Sequence, residues 1–319
     1  MSGAAAGHPD RVAAIDCGTN SIRLLVADLV DGGRVDGGLV DVVREMRVVR
    51  LGQDVDRTGR LAPEAIERTR VALAGYAAQI RDLGAQRVRM VATSATRDAA
   101  NRDEFRAMVR AELGAEPEVI TGQEEAALSF TGAASVLPQA SGPLLVTDIG
   151  GGSTELVRGE LRDLAALRAH SMDVGCVRLT ERHLADDPPT GAQIAAAERD
   201  VRSALERARA DVPLDADVPF VGVAGTVTTV AAIALGLGAY DPDVINGSVV
   251  AAGQVRAVTE RLLGMTRQQR AALAVMHPGR VDVIGAGALV LRTLVDEIGV
   301  SEVIVSEHDI LDGLALSFR

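Results

Sequence analysis

The chain has 319 residues, 47% of them hydrophobic, with no tryptophan, two tyrosines and four phenylalanines, and a formal net charge of -11. That length and apolar content support two domains with cores of their own and exclude disorder, while the acidic charge and scarce aromatic side chains exclude a surface that coats nucleic acid or an anionic membrane. Every basic residue is arginine, so a grip on phosphate must come from guanidinium forks and backbone amides rather than lysine.

Residues 1–10, His8 included, read as a disordered leader. The phrase Ala14-Ile15-Asp16-Cys17-Gly18-Thr19-Asn20-Ser21 then runs from an apolar strand into a carboxylate, through a glycine turn to a serine, and on into Leu24-Leu25-Val26. It predicts a β-hairpin whose turn offers N–H groups unobstructed by a Cβ. A helix is predicted from Pro63 through Ile66, Thr69, Leu73, Tyr76, Ile80 and Leu83 to Gly84, and a strand over Val88–Ala92. Thr93-Ser94-Ala95-Thr96-Arg97 follows where a helix would begin, and helix N-termini favour anions. Arg97 is either a phosphate contact or a solvent-facing residue of that helix. Ile120-Thr121-Gly122-Gln123-Glu124-Glu125 closes a short strand and opens an alanine-rich helix, whose first-turn glutamates could equally be partners of the helix dipole.

Ser141-Gly142-Pro143 marks a break inside residues 133–143, and directly after it the opening phrase returns as Val146-Thr147-Asp148-Ile149-Gly150-Gly151-Gly152-Ser153, again followed by an apolar pair, Leu156-Val157. One such turn is weak evidence of a site; two at matched spacing predict facing phosphate loops, with a carboxylate at each strand end to hold a divalent cation or its water. Thr190-Gly191-Ala192-Gln193 reads as a capping box ahead of a helix bearing Ile194, Ala197, Val201, Leu205 and Ala208 on one face. The uncharged stretch Pro219–Tyr240 is as long as a membrane span, but its four glycines favour a buried strand over Phe220–Val223, a Gly225-Thr226 turn and a buried helix from Val227 to Leu235. Cys17 and Cys176 lack metal-ligand spacing and no secretory signal precedes them, which points to reduced thiols in a cytoplasmic protein. His277 and His308 read as structural. Arg178 and Arg280 are either functional or parts of ion pairs, Arg178 with Glu181. The alternation of apolar strands and amphipathic helices gives an α/β fold of two related halves, residues 1–132 and 133–319, around a central cleft.

Taken together, Asp16-x-Gly-Thr-Asn-Ser21, Ala92-Thr-Ser-Ala-x-Arg97, Thr121-Gly-x-Glu-Glu-Ala126, Asp148-Ile-Gly-Gly-Gly-Ser-Thr-Glu155, Val174-Gly-x-Val-Arg-Leu-Thr-Glu181, Gly225-Thr226 and Pro278-Gly-Arg-x-Asp282 resemble, in order and from residue 12 to about 315, the exopolyphosphatase / guanosine pentaphosphate phosphohydrolase family. The resemblance implies two ribonuclease-H-like domains of the actin and sugar-kinase superfamily, and hydrolysis of a terminal phosphoanhydride with Mg²⁺ or another divalent cation such as Mn²⁺. It implies Glu125 and Glu155 as catalytic residues. Asp148, Glu155 and Asp16 would hold the metal. Gly18, Thr19, Asn20, Ser21, Arg97, Gly151, Gly152, Ser153, Gly225 and Thr226 would bind substrate phosphates. The expected substrate is inorganic polyphosphate or, alternatively, guanosine pentaphosphate, and the expected assembly a homodimer that binds neither nucleic acid nor membrane. A sugar-kinase-type phosphotransferase is disfavoured by the motif around Glu125, and a non-catalytic nucleotide sensor by the presence of both glutamates. The chain departs from the family pattern at Thr121, commonly serine, and at Ala224, frequently glycine. The additional C-terminal helical region of long members is not expected in this chain.

Overall fold

The computed structural model describes residues 10–30, 38–137 and 142–319; the expected leader up to residue 9 and residues 138–141 of the expected boundary lie outside them. The first sheet is built from β1 (Asp10–Cys17), β2 (Ser21–Leu29), β3 (Leu39–Val48), β4 (Arg87–Ala92) and β5 (Glu118–Val119), in the order β3-β2-β1-β4-β5. The second comprises β6 (Leu144–Ile149), β7 (Thr154–Gly159), β8 (Arg168–Met172), β9 (Phe220–Val223), β10 (Val249–Ala251) and β11 (Glu302–Val305), in the order β10-β11-β9-β6-β7-β8. Setting β6 against β1, β7 against β2, β8 against β3, β9 against β4 and β11 against β5 reproduces both order and direction: an antiparallel meander continued by parallel strands. β10 is an added antiparallel edge. The repeated phrase thus belongs to a repeated domain plan, as the resemblance implies.

Helices α1 (Val55–Thr58), α2 (Pro63–Asp82), α3 (Ser94–Asp98) and α4 (Arg102–Leu113) precede α5 (Gly122–Ser135); α6 (Cys176–His183), α7 (Gly191–Ala208), α8 (Ala224–Ala234), α9 (Pro242–Ile245), α10 (Ala252–Gly264), α11 (Arg267–Ala271) and α12 (Ile284–Ile298) precede the closing α13 (Ile310–Leu316). The continuous apolar runs of the central strands follow from cover on both faces. In β1, Ala13, Ile15 and Cys17 join a core with Leu73, Tyr76 and Ile80 of α2, while Val12 and Ala14 join Ile310, Leu311 and Leu314 of α13. In β6, Leu145 and Ile149 face one core, and Leu144 and Val146 pack with Phe130 of α5 in another.

Two helices exchange sheets. α5 follows the first sheet in sequence but packs on β6, β7 and β8, whereas α13, at the chain's end, packs on β1 and β2. They cross through glycine: a Cβ at Gly132 would lie 1.8 Å from the Asp309 carbonyl oxygen, and one at Gly313 2.0 Å from that of Leu128. The expected division after residue 132 falls inside the last turn of α5, and packing is interleaved across it.

The uncharged stretch from Pro219 forms β9 and α8, and no helix among the described residues is long and apolar enough to cross a membrane. α8 starts earlier than the sequence suggests, because Ala224 itself completes the turn at φ 67. Gly225 and Thr226 therefore occupy the first turn of the helix rather than a loop.

Candidate active site

The two predicted turns are matched in hydrogen bonding. Gly18 N–H donates to the Ser21 carbonyl at 3.0 Å, and Gly150 N–H to that of Ser153 at 3.0 Å. Turn carbonyls are taken by neighbouring segments: that of Asn20 accepts from Val49 at 3.0 Å and Arg50 at 2.8 Å, and that of Gly151 from Val177 of α6 at 2.8 Å. The amides of Thr19, Asn20, Gly151 and Gly152 have no backbone acceptor among the described residues, which leaves them for an anion. The turns also touch. A Cβ on Gly151 would sit 2.9 Å from Thr19 Cβ, and one on Gly152 2.6 Å from Thr19 Oγ1 and 2.7 Å from Ser94 Oγ. Close packing of turn on turn requires glycine there, and Gly152 faces that contact rather than the cavity.

Beside the contact is a cavity of about 100 Å³ lined by Asp16, Gly18, Thr19, Asn20, Ser21, Arg23, Glu125, Asp148, Gly150, Gly151, Ser153, Gly225, Thr226 and Arg280. A larger chamber of about 380 Å³ adjoins it, sharing Arg23, Met46, Gly225 and Arg280 and adding Tyr240, Met276, Glu307 and Leu311. Residues expected from both halves thus meet in one place, with three departures besides Gly152. Arg97 does not line the cavity; its Nη1 donates to the Ile120 carbonyl at 3.0 Å and to Glu125 Oε2 at 3.1 Å. Glu155 lies behind it, 1% exposed, accepting from Ser171 Oγ at 2.7 Å. Arg178 does not pair with Glu181 but binds Asp56 at 3.0 Å and Asp98, tying α6 to α1 and α3.

Burial dominates the electrostatics. It raises the Glu125 carboxyl to about 7, opposed by Arg97 and assisted by Asp148, and Asp148 to about 6, assisted by Asp309 and opposed by the hydrogen bond from Ser129. Asp16 and Glu155 are pushed up by the same cause. The repeat explains where charge is balanced and where it is not. Asp16 faces Arg23 across the first hairpin, and Arg23 Nη2 holds its Oδ2 at 2.7 Å. At the matching position of the second hairpin Asp148 faces Glu155, and like charges directly opposite on a sheet destabilise it. Ser129, one turn after Glu125 on α5, donates to Asp148 Oδ2 at 2.6 Å.

Sequence reasoning missed Arg23 and Asp309. Arg23 bridges Asp16 and Asp309, and Asp309 also caps α13 through Leu311 N–H at 3.0 Å. Arg23 could have been found by laying one phrase on the other, since it takes the place of Glu155; Asp309 carried no comparable signal. Arg280, left open in the sequence, sends its guanidinium to the cavity wall with Nη1 on Thr229 Oγ1 at 2.9 Å. His277 accepts from Gly279 N–H at 3.1 Å and His308 meets Asp312 at 2.8 Å, both structural contacts. Cys176 reaches the cavity, but burial raises its thiol to about 11, which makes it a poor nucleophile.

A divalent cation fits this chemistry. Asp16 Oδ1 is buried without a hydrogen-bond partner, and the opposed Asp148 and Glu155 have a surplus of negative charge that an anionic substrate would worsen. No group of three or more His, Cys, Asp or Glu side chains among the described residues forms a ready cation cage.

The sequence profile of the Ppx/GppA phosphatase family matches residues 26–318. The chain is 56% identical over 316 residues to Exopolyphosphatase 2 of Mycobacterium tuberculosis, covering 96% of this chain and 98% of that one. It is 33% identical to a guanosine-5'-triphosphate,3'-diphosphate pyrophosphatase of Vibrio atlanticus, covering 80% of this chain and 49% of that protein. The crystal structure of an exopolyphosphatase-like protein superposes with a TM-score of 0.90 at 44% identity, covering 97% of this chain and 98% of that one. That of the Aquifex aeolicus Ppx/GppA family member gives 0.79 at 32% identity, covering 97% of each.

Proposed function

The chain belongs to the Ppx/GppA phosphatase family, whose members hydrolyse phosphoanhydrides, and on that premise we propose that it is an exopolyphosphatase, releasing orthophosphate from the end of inorganic polyphosphate. The observation that carries this reading is the shared cavity, where Glu125 and Asp148 face two turns with free amides. Glu125 is the general base. A carboxyl raised to about 7 holds a proton strongly enough to take one from water near neutral pH. The water oxygen bonds to the terminal phosphorus, its proton passes to Glu125, the bridging P–O bond breaks, and the remaining chain leaves with that electron pair. The amides of Thr19, Asn20 and Gly151, the hydroxyls of Ser21, Ser153 and Thr226, the N–H of Gly225, and the guanidinium groups of Arg23 and Arg280 hold and neutralise the phosphates, while Gly18 shapes its turn through the bond from its N–H to the Ser21 carbonyl.

Asp148 and Asp16 would hold Mg²⁺ or Mn²⁺, with Glu155 setting the charge behind Asp148; when bound, the cation neutralises charge on the transferred phosphoryl group. Arg97 positions Glu125 rather than gripping phosphate, and Gly152 keeps the turns in contact. Residues 1–132 and 133–319 remain the proposed domains, each supplying one turn. A cytoplasmic homodimer completes the proposal, its assembly to be decided by sedimentation equilibrium.

A second reading, hydrolysis of guanosine pentaphosphate, is favoured by one feature: the adjoining chamber has apolar walls at Met276 and Leu311 and a tyrosine, Tyr240, which a nucleoside can use and a polyphosphate chain cannot. Phosphate release from the two substrates, side by side with Mg²⁺, separates them. We expect faster release from polyphosphate; release from neither refutes the hydrolase.

A further inference from the structure

A groove of about 500 Å³ lies on the other side of Arg97 from the cleft, between α4 and the edge strand β5, and the proposed reaction leaves it unused. Arg102 and Arg106 project into it from one face of α4, four residues apart, and Arg97 closes its inner end. Its carboxylate, Glu118, is already held by Arg89 through two bonds of 2.8 and 2.7 Å. Arg106 shares Glu116 at 2.7 Å and Asp103 at 3.5 Å; Arg102 has no ion pair among the described residues. In a chain of net charge -11, this groove therefore concentrates guanidinium. As the outer strand, β5 also leaves one side of its backbone unpaired. Arg97 is the common wall: the same Nη1 that donates to Ile120, on the groove side, donates to Glu125, on the cleft side.

We propose that this groove is a second binding site for a phosphate oxyanion, separated from the catalytic carboxylate by one guanidinium. Planar guanidinium forks match phosphate oxygens two at a time. The proposal rests on the hydrolase reading for its source of anion, since hydrolysis yields orthophosphate next to Glu125 and leaves phosphoryl units on the remaining chain. An anion in the groove competes for Arg97 with Glu125, so occupancy slows turnover without displacing substrate from the cleft.

The test is calorimetric titration of inorganic phosphate, and separately of long-chain polyphosphate, into the wild-type chain and an Arg102→Gln/Arg106→Gln variant, without divalent cation so that nothing turns over. Two classes of phosphate site are expected in the wild type, one of them weakened about tenfold or more in the variant, the loss of one charge-assisted hydrogen bond or more. A loss seen with orthophosphate identifies the product as occupant, and a loss confined to polyphosphate identifies the chain; identical titrations with both anions overturn the site. Arg102→Gln alone, which breaks no ion pair, repeats the measurement if the double variant melts early. Phosphate release with Mg²⁺ is read separately: binding without hydrolysis refutes the hydrolase and spares the groove, and hydrolysis without groove binding does the reverse.

Discussion

Glutamine at position 125 keeps the volume of the side chain and an amide oxygen for Arg97, and removes the negative charge. Two consequences of opposite sign follow. As the proposed general base disappears, kcat should fall on the order of 10²-fold or more with KM little changed, and the acid limb that Glu125 contributes to the wild-type pH–rate profile should vanish. Stability should move the other way. Burial raises the folded-state carboxyl from 4.5 to about 7, so between those values the fold binds more protons than the unfolded chain. Its stabilising contribution is complete below the unfolded value and is lost as pH rises through about 7. At about 1.4 kcal/mol per tenfold, the ionised group costs the fold about 3 kcal/mol. Glu125→Gln lacks that dependence and should melt several degrees above the wild type at pH 8, at about 2–4 °C per kcal/mol, with the advantage much reduced at pH 5. Phosphate release and scanning calorimetry at the two pH values, the latter without divalent cation, provide the assay. Turnover within threefold of wild type refutes the base, and a loss of stability equal at both pH values refutes the electrostatic argument.

Ser129→Ala removes the 2.6 Å donor to Asp148 and should cost about 1–3 kcal/mol of stability; because that bond lowers the Asp148 carboxyl, the acid limb of the pH–rate profile should move to higher pH, and an unmoved limb would make Ser129 merely structural. Arg178→Gln cuts the ties to Asp56 and Asp98; KM should rise several-fold with a smaller change in kcat, and high salt should bring the wild type toward the variant, so a salt-independent difference would count against an ionic tie. Mg²⁺ titrated calorimetrically should bind weakly to the free chain and more tightly with a non-hydrolysable triphosphate, which by linkage it tightens equally; equal affinities would show that cation and phosphate do not share the cleft.

The sequence made the fold readable because the same short phrase precedes each half-sheet and because apolar runs such as Val12–Cys17 leave a strand no exposed face. It also located the turns, Glu125 and Asp148, since type and spacing survive without coordinates. What it could not supply was partnership. Arg97 and Glu125 meet through a contact between separate elements, Arg178 reaches aspartates in the other half, and Asp309 arrives from the far end of the chain through the exchange of α5 and α13. Gly152 is ambiguous in the sequence for the same reason: glycine permits close approach by anything, and here Thr19 and Ser94 do the approaching.

That contact between Thr19 and the opposite glycines gives the cleft a direction. With the turns pressed together, the void beyond them, beside Gly52 and Arg178, measures only about 10 Å³, room for roughly one water and no phosphoryl group. Among the described residues, the cavity is thus closed on that side and continues into the larger chamber at Arg23 and Arg280. A polyphosphate chain entering from the chamber would meet this closed end tip first, and an anhydride in the middle of the chain would have to thread past Thr19 to reach Glu125. For the proposed hydrolase, sterics would then favour cutting from the end over cutting within, with Thr19 standing at the closed end of the cavity.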